Sequence, residues 1–343
     1  MHDDIALLGE DELALIHALQ LSPRATWTEL GRALGVDPVT AARRWDRLAE
    51  RGEAWVSFSP GPRLFEHVCG AFLDVDCAAG AASAVARELT CHPHVLTLER
   101  VAGPHELLVT VATGDLAAMS RYTLDVLPAI PGVTAVQTRI ITYMFTEGGR
   151  WQVGAQTPEQ LTAPDHPVTA GRTRRMTTFD RSLLIWLARD GRASHEALAE
   201  VVGSSAAIVE RRVDEMTRLG VLRFRCDFAR PLGGRPVAVT FWVKVHPADL
   251  PGIGHALVQL PELRSCAAIS GPHNLVLQAS LHSVEDVLGF EHELATAHPG
   301  IDIAERVITL RHDKLFGHLL DASGRSVGVV PPDVWADPAP DQR

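Results

Sequence analysis

Apolar residues recur at three- and four-residue steps in three short stretches near the start of the chain, and this spacing predicts three amphipathic helices. The first, Asp11–Leu21, turns Leu13, Ile16 and Leu19 inward. The second spans Thr26–Leu34, and its opening T-x-x-E spacing is typical of a capping box. Polar residues fill the remaining positions of both stretches, so each helix is expected to bury only one side.

The third helix is predicted from Asp37 to Gly52, and the sequence marks both of its ends. Asp37 can cap the first free N–H groups, Pro38 suits the first helical position, and Gly52 suits a left-handed stop. Its inward side is apolar: Val36, Ala41, Trp45 and Leu48. Because a Gly-containing turn joins the second and third helices, the three predict a helix-turn-helix, whose third helix enters the major groove of DNA.

The outward side of the third helix carries the candidate DNA-binding residues Thr40, Arg43, Arg44 and Arg47. Such side chains can reach phosphate oxygens or guanine edges. A solvated basic face without a partner is the alternative interpretation of this helix taken alone. The helix-turn-helix context favours contact with DNA.

The chain then repeats itself at a constant offset, the one that aligns Leu30 with Leu198. The same offset aligns Arg43 and Arg44 with Arg211 and Arg212, and it also pairs glycine and proline positions across both halves. A register kept over that span indicates a tandem duplication of one unit of roughly 150 residues. In the second copy the candidate DNA-binding residues are Ser205, Arg211 and Arg212.

The second half of each unit predicts the order βαββαβ of a ferredoxin-like domain. In the first copy the predicted segments are Val68–Asp74, Ala78–Leu89, Val95–Val101, Glu106–Ala112, Asp115–Leu127 and Val133–Thr142. In the second copy they are Val237–Val245, Gly252–Leu260, Leu263–Ile269, Leu275–Leu281, Val284–Ala297 and Ile301–Leu310. The fold class is therefore α+β: a winged helix-turn-helix followed by a ferredoxin-like βαββαβ effector domain, with the pair duplicated in tandem.

The third helix resembles the recognition helix of the Lrp/AsnC (leucine-responsive, feast/famine) transcriptional regulators. The resemblance rests on Pro38, the pair Arg43–Arg44, the pair Arg47–Leu48, and Gly52. Trp45 departs from the usual valine of that motif. The βαββαβ order behind the helix-turn-helix is similar to the effector domain of the same family, and the resemblance covers both units. It implies a DNA-binding regulator that acts as a dimer, here expected as a pseudo-dimer within one chain that can assemble further into a homo-oligomer.

The predicted domains follow from these segments. They are a first helix-turn-helix at 1–57, an effector domain at 64–145, a linker at 146–178, a second helix-turn-helix at 179–226, an effector domain at 236–320 and a tail at 321–343. The linker contains Arg172, Arg174 and Arg175, which either touch the DNA backbone or belong to a plain spacer. The tail is rich in Pro and Asp and is expected to lose order beyond Trp335.

Composition narrows the class of protein. The net charge of −10 argues against indiscriminate binding of nucleic acid, although a local basic face can still act because phosphate attraction extends only about 8–10 Å in salt solution. The five cysteines are odd in number and include no C-x-x-C pair, which favours a reduced, cytoplasmic setting. The start of the chain shows no signal-peptide pattern, and no apolar run is long enough to span a membrane.

Two short hairpins, AGPHEL at 102–107 and SGPHNL at 270–275, are the other candidate sites. In single-unit relatives a similar hairpin lies near the site where an amino-acid effector binds. The resemblance therefore implies effector contacts at Gly103, His105, Glu106, Gly271, His273 and Asn274. His replaces the usual aromatic residue of that hairpin, so the effector is either an amino acid or a related metabolite. Simple hairpin turns, with Gly supplying the backbone freedom, remain the alternative.

No metal, catalytic or cofactor site is predicted. The densest cluster of metal-binding residue types, from Cys91 to His94, matches no zinc spacing. No G-x-S-x-G, H-E-x-x-H or Walker sequence occurs. The protein is accordingly expected not to be an enzyme.

Two other functions stay open. Sirohaem decarboxylases also resemble Lrp/AsnC proteins, occur as paired or fused units, and would give His105 and His273 a place near a haem-sized pocket. Their hairpin, however, is longer and rich in Tyr and Arg. A ligand sensor or scaffold with a decayed DNA-binding domain is the third possibility, supported by Glu210, Asp214 and Glu215 on the second recognition helix. The favoured function is a sequence-specific transcriptional regulator that binds double-stranded DNA and a small-molecule effector.

Overall fold

The computed structural model describes residues 7–154 and 176–338. The first unit opens with α1 (Glu10–Leu21), α2 (Trp27–Leu34), α3 (Pro38–Glu50) and β1 (Ala54–Pro60). It continues with β2 (Cys69–Cys77), α4 (Ala82–Cys91), β3 (Val95–Ala102), β4 (Leu107–Thr113), α5 (Leu116–Arg121) and β5 (Val133–Thr146). A helix-turn-helix is thus followed by the predicted βαββαβ order.

The second unit repeats these elements. Its helix-turn-helix consists of α6 (Thr178–Leu187), α7 (His195–Val202), α8 (Ala206–Arg218) and β6 (Leu222–Phe228). Its effector domain consists of β7 (Val237–Val245), α9 (Leu250–Leu257), β8 (Leu263–Ile269), β9 (Leu275–Leu281), α10 (Asp286–Ala297) and β10 (Ile301–Leu315), and β11 (His318–Leu320) and β12 (Ser326–Val329) follow. Most elements of the two units begin at positions that the predicted offset aligns, so the predicted fold class is confirmed.

The two effector sheets join edge to edge at both sides. The first has the order β3-β4-β2-β5, the second has the order β8-β9-β7-β10, and the pairs β5–β8 and β3–β10 link them. Both linking strands run past the ends predicted from the sequence, and their added residues include Tyr143, opposite Ala268, and His312, opposite Glu99. Because each extension supplies hydrogen bonds to the other unit's edge strand, neither sheet keeps an open edge there.

Three hydrophobic cores follow from this arrangement. Each sheet packs one face on its own two helices, through Leu73 and Leu89 in the first unit and Phe241 and Phe290 in the second. The opposite faces of the two sheets meet around Phe72 and Trp242, whose rings contact edge to face at 6.1 Å. The pseudo-dimer is therefore built within one chain.

The prediction for the helix at 115–127 was wrong in part. The spacing of Leu116, Met119, Leu124 and Leu127 predicts that all four face inward, but Leu116 and Leu124 are 64% and 70% exposed, whereas Met119 and Leu127 are buried. The α-helix ends at Arg121, and a wider π-helical turn follows over Tyr122–Val126. This turn shifts the inward direction, and Tyr122 takes the buried position instead.

Part of the predicted linker is packed rather than free. Trp151 is buried, donates a hydrogen bond from Nε1 to the Pro261 carbonyl at 2.9 Å, and stacks on Phe228. Thr177 caps α6. Arg172, Arg174 and Arg175 lie outside the described residues, so their contact with DNA stays a prediction.

The C-terminal segment ties the effector sheet to the first helix-turn-helix. The Ser326 N–H donates to the Gly52 carbonyl at 2.8 Å, and Arg325 lies 3.2 Å from Glu53. Gly52 has a φ of +63°, and a Cβ there would lie only 2.1 Å from the Ser326 oxygen. Gly52 therefore serves this close approach as well as the helix stop. Residues 339–343, at the end of the predicted tail, lie outside the described residues.

Among the residues that the structure describes, no helix is long and apolar enough to cross a membrane.

Candidate nucleic-acid interface

The recognition helix α3 is held by its apolar side. Asp37 Oδ1 accepts a hydrogen bond from the Val39 N–H at 2.8 Å, and Pro38 occupies the first turn. Ala41, Trp45 and Leu48 are buried. Because these residues fix the rotation of the helix about its axis, the opposite side must face solvent.

That solvent side carries three of the four predicted contacts. Thr40, Arg43 and Arg47 are exposed. Arg44 is mostly buried, and its guanidinium lies 2.8 Å from Asp11 at the start of α1. Arg43 and Arg47 are four residues apart and therefore share one face of the helix. The side chains best placed for DNA are thus Thr40, Arg43 and Arg47, while Arg44 also joins α3 to α1.

The second recognition helix, α8, differs in how its arginines are used. Ser205 caps the helix and accepts from the Ile208 N–H, and Arg211 is exposed. The Arg212 guanidinium, in contrast, donates to both carboxylate oxygens of Asp180, at 2.5 and 2.9 Å, and to Glu215 at 2.7 Å. A contact between Arg212 and DNA would require breaking this pair.

The pKa of Asp180 reflects the same contact. Burial alone would raise the pKa of this fully buried carboxyl group, but hydrogen bonds from Arg212 and Thr177 hold it below its ordinary value. The hydrogen bond to Asp180 also raises the pKa of Arg212. The ion pair therefore fastens α6 to α8, and the exposed charges left on α8 include the acidic Glu210 and Asp214.

Two arginines that sequence reasoning missed hold the two helix-turn-helix domains together. Arg24 donates to the carbonyls of Gly191 and Ala193 at 2.6 and 3.0 Å. Arg192, its counterpart in the second copy, donates to the carbonyls of Pro23 and Ala25 at 2.6 and 2.8 Å. We call these two residues the arginine clasp. An arginine at the same place in both copies, just before α2 and α7, was the signal that could have identified it.

A two-stranded ribbon adds to the clasp. β1 pairs antiparallel with β6 along its whole length, from Ala54 opposite Phe228 to Pro60 opposite Leu222. Each strand begins a few residues after its recognition helix. The clasp and the ribbon together hold α3 and α8 in one fixed relation, which defines the spacing of any two DNA half-sites.

At the first hairpin, the predicted effector contacts are engaged with the protein itself. His105 Nδ1 lies 2.5 Å from Asp76, and Glu106 accepts from the Cys77 N–H at 2.7 Å. Gly103 is exposed and lies close to Val307. Asp74, buried nearby, forms an ion pair with Arg139, whose guanidinium covers the Trp242 ring at 4.1 Å.

The second hairpin repeats the backbone contacts but not the charges. The Asn274 side chain accepts from the Val245 N–H and donates to the Val245 carbonyl, at 2.9 and 2.8 Å. Glu106 and Asn274 thus share a role in holding the strand beside the hairpin. His273 Nδ1 is buried without a hydrogen-bond partner among the described residues, and Gly271 takes a φ of +115°. The main difference between the hairpins is therefore the partner of the histidine, because Glu106 and Asn274 make similar backbone contacts.

Comparison with known proteins agrees with this arrangement. The family model described as the AsnC-type helix-turn-helix domain matches residues 11–49 and 176–217, and the Lrp/AsnC ligand binding domain matches residues 70–150. Three stretches of the chain are therefore similar to the two domain types of Lrp/AsnC transcriptional regulators. Both matches to the helix-turn-helix model include nearly all of a recognition helix.

Each of two curated relatives aligns with about 40% of this chain, which is about the length of one unit. An HTH-type transcriptional regulator of Pyrococcus horikoshii is 29% identical over 138 residues, which is 39% of this chain and 86% of the relative. The leucine-responsive regulatory protein of Rhizobium meliloti is 29% identical over 143 residues, which is 40% of this chain and 92% of the relative.

A solved structure matches both units at once. The siroheme decarboxylase NirDL, in complex with an iron-uroporphyrin III analogue, superposes with a TM-score of 0.58 over 89% of this chain and 92% of its own. The sequence identity is 12%, so the likeness shows a shared fold.

Proposed function

We propose that this protein is a sequence-specific DNA-binding regulator whose two units were fused from a dimer and which responds to a small-molecule effector. The observation that carries the proposal is the exposed pair Arg43 and Arg47 on the recognition helix of a domain that the arginine clasp joins to the second helix-turn-helix domain. Phosphate contacts from such residues position a protein on DNA, and guanine contacts select the sequence. Further assembly of these pseudo-dimers is part of the same proposal.

The test begins with the selection of bound fragments from sheared genomic DNA of the source organism. With the selected operator, Arg43→Ala and Arg47→Ala are each expected to weaken binding by about 1–3 kcal/mol if the side chain contacts a base. A phosphate contact would instead weaken all sequences alike and lower the salt slope by about one unit. Fluorescence anisotropy at several salt concentrations distinguishes the two outcomes.

Arg87→Ala is the matched control, since Arg87 is exposed on α4, far along the chain from either recognition helix. Arg44 already forms an ion pair with Asp11. We therefore expect the Arg44→Ala variant to lose less affinity for DNA than the Arg47→Ala variant. Unchanged affinity and unchanged salt slope for both Arg43 and Arg47 variants would refute the DNA interface.

For the hairpins, the prediction is that His105→Ala and His273→Ala leave the fold and basal DNA binding intact but change the response to the effector. Amino acids and related metabolites are the first effectors to test. Because His105 is bonded to Asp76 and His273 lacks a partner for Nδ1 among the described residues, we expect unequal effects. If both variants respond like the parent protein, the hairpins act only as turns.

The alternative function, decarboxylation of a sirohaem-like tetrapyrrole, is supported by the two-unit fold shared with NirDL and by buried arginines between the sheets. The cavity there measures about 120 Å³, near the roughly 150 Å³ that holds a benzene molecule, so a tetrapyrrole would need the sheets to open. Absorbance after incubation with sirohaem decides the matter: a stable Soret band that follows the protein through gel filtration would favour this alternative.

A further inference from the structure

A cavity of about 120 Å³ lies between the two effector sheets, away from both hairpins. Residues of both units line it, among them Phe72 from β2 and Thr240 from β7. Cavities of this size can hold a small organic molecule. The lining combines buried arginines with apolar side chains, and this combination identifies a class of ligand.

The cavity lining includes three buried arginines, Arg225, Arg230 and Arg264, which are 4%, 9% and 7% exposed. Arg225 is well supplied with partners: it donates to Asp227 at 2.5 and 2.9 Å and lies 3.5 Å from Glu147. A buried arginine requires such partners, because an unpaired buried charge is strongly destabilising.

Among the described residues, Arg230 and Arg264 have fewer partners than Arg225. Within residues 7–154 and 176–338, Arg264 has one carboxylate contact, to Asp227 at 3.5 Å, and Arg230 has a single hydrogen-bond contact, to the His312 ring at 2.9 Å. Burial, followed by repulsion from Arg230, lowers the pKa of Arg264, and burial likewise lowers the pKa of Arg230. Burial is the largest cause for both arginines, and Asp227 acts in the opposite direction on each.

The nearby carboxylates are already engaged. Glu147 accepts from the Gly149 N–H at 2.6 Å, and Glu99 accepts from Thr309 at 2.8 Å and from Gln278 at 3.2 Å. Asp227 is held by Arg225. Three guanidinium groups and the two carboxylates Glu99 and Glu147 therefore line the cavity, and Asp227 is the third carboxylate of the cluster.

The lining also includes apolar side chains at positions where the two copies differ. The offset that relates the two copies pairs Arg264 with Leu96, His312 with Met144, and Glu147 with Leu315, and all six residues line the cavity. The duplicated fold does not require these charged residues, since the equivalent position of the other copy holds leucine or methionine in each case. Ser57 and Pro62 likewise stand where the second unit has Arg225 and Arg230.

We propose that this cavity binds a small monocarboxylate with an apolar body, its carboxylate on Arg230 and Arg264 and its body against Leu96, Met144 and Leu315. Arg–carboxylate contacts are strong and directional in a buried site. Binding of a carboxylate in this cavity does not depend on the proposed DNA binding. The further claim that the carboxylate regulates DNA binding rests on the proposed function.

The position of the cavity gives the ligand a route to the DNA-binding domains. Pro60 of β1 and Arg225 of β6 line the cavity, and these strands form the ribbon that follows the two recognition helices. Phe316, also in the wall, contacts Phe58 of β1 with ring centroids 5.4 Å apart. A ligand bound in the cavity would contact the β1–β6 ribbon and could therefore change the position of α3 relative to α8.

The test measures binding without DNA. Thermal unfolding of the full chain is followed with phenylacetate, benzoate and 4-methylpentanoate, each paired with its uncharged amide and with sodium sulfate as an anion alone. At least one carboxylate is expected to raise the unfolding temperature, because a ligand that binds only the folded state stabilises it. The matching amide and sulfate are expected to have little effect.

The variants locate the site. Arg230→Met and Arg264→Met should each weaken carboxylate binding by about tenfold or more, the loss expected for a charged hydrogen bond. Ala238→Leu, which fills the cavity and keeps the arginines, should also weaken it, while the exposed Arg87→Met should not. If an arginine variant fails to fold, Ala238→Leu and the carboxylate–amide comparison still decide.

Equal stabilisation by carboxylate and amide, no response to any of the three carboxylates, or full binding by Ala238→Leu would overturn the site. DNA binding is measured separately by anisotropy with and without the stabilising carboxylate. If a carboxylate stabilises the protein but the protein binds no DNA, the carboxylate site is supported and the proposed regulator function is contradicted. If the protein binds DNA but no carboxylate stabilises it, the regulator function is supported and the carboxylate site is contradicted.

Discussion

Replacing Arg47 by Glu is expected to lower operator affinity by about a hundredfold or more, the largest change of any single substitution on the recognition helices. The substitution removes a cation from the exposed face of α3 and places an anion against the phosphates. The salt dependence of binding should become shallower by about one unit or more, because fewer counterions are released. Anisotropy titrations over a range of salt concentrations measure both effects.

The repeat supplies the comparison for this experiment. Glu215 stands at the position of α8 that corresponds to Arg47 of α3, and Glu215→Arg is expected to strengthen binding and steepen its salt dependence. The structure limits the gain, because Glu215 bonds Arg212 at 2.7 Å and part of its charge is already offset. Arg87→Glu, with the same charge change on α4, controls for net charge.

The two substitutions together show which domain dominates. We expect the N-terminal helix-turn-helix to supply most of the affinity and to select the sharper half-site, with a weaker half-site one or two helical turns away, roughly 34 Å per turn. If Glu215→Arg were harmful and Arg47→Glu tolerated, the order of the two domains would be reversed.

Replacing Lys314 by Met is expected to stabilise the protein at neutral pH by about 3 kcal/mol. Lys314 lies on β10 between β3 and β11, is 0% exposed, and donates one hydrogen bond, to the His92 carbonyl at 2.9 Å. Burial lowers its pKa from 10.5 to about 7. Such a shift corresponds to about 4–5 kcal/mol of penalty for the buried amine, from which about 1 kcal/mol for the lost hydrogen bond is subtracted.

The sign of the pH dependence follows from the same shift. Between pH 7 and about 10 the unfolded chain holds a proton at Lys314 that the folded protein has released, so the parent protein gains stability as the pH rises. Lys314→Met should lack this contribution, and its advantage should shrink by at most about 1.4 kcal/mol per pH unit. Thermal unfolding at pH 7, 8 and 9 compares the two proteins.

Lys244 provides the control, because the chain contains only two lysines and Lys244 is exposed on β7. Lys244→Met should leave the stability and its pH dependence nearly unchanged. A loss of stability in Lys314→Met at pH 7, or parallel pH profiles for the two proteins, would contradict the assignment. A lysine suits the buried position 314 better than an arginine would, because lysine can release its proton near neutral pH and arginine cannot.

The local elements of this protein were determined by the sequence. Caps such as Asp37 and Thr26, the proline at position 38 and the spacing of Trp45 and Leu48 act within a few residues, so they specify helices wherever the chain goes. The constant offset between the two halves likewise revealed two copies of one unit, because equivalent positions in two copies must satisfy the same packing. The exposed pair Arg43 and Arg47 could be named for the same local reason.

The tertiary structure alone decided how these parts are joined and which charges remain free. The sequence does not show that β5 and β10 extend to pair with the other unit, that Arg24 and Arg192 bind each other's turns, or that Arg212 is held by Asp180. Each of these contacts joins residues that lie far apart along the chain, and a charged side chain looks the same in sequence whether solvent or a carboxylate surrounds it. The cavity between the sheets exists only where the two copies meet, and the residues in which the copies differ give its lining both charged and apolar side chains.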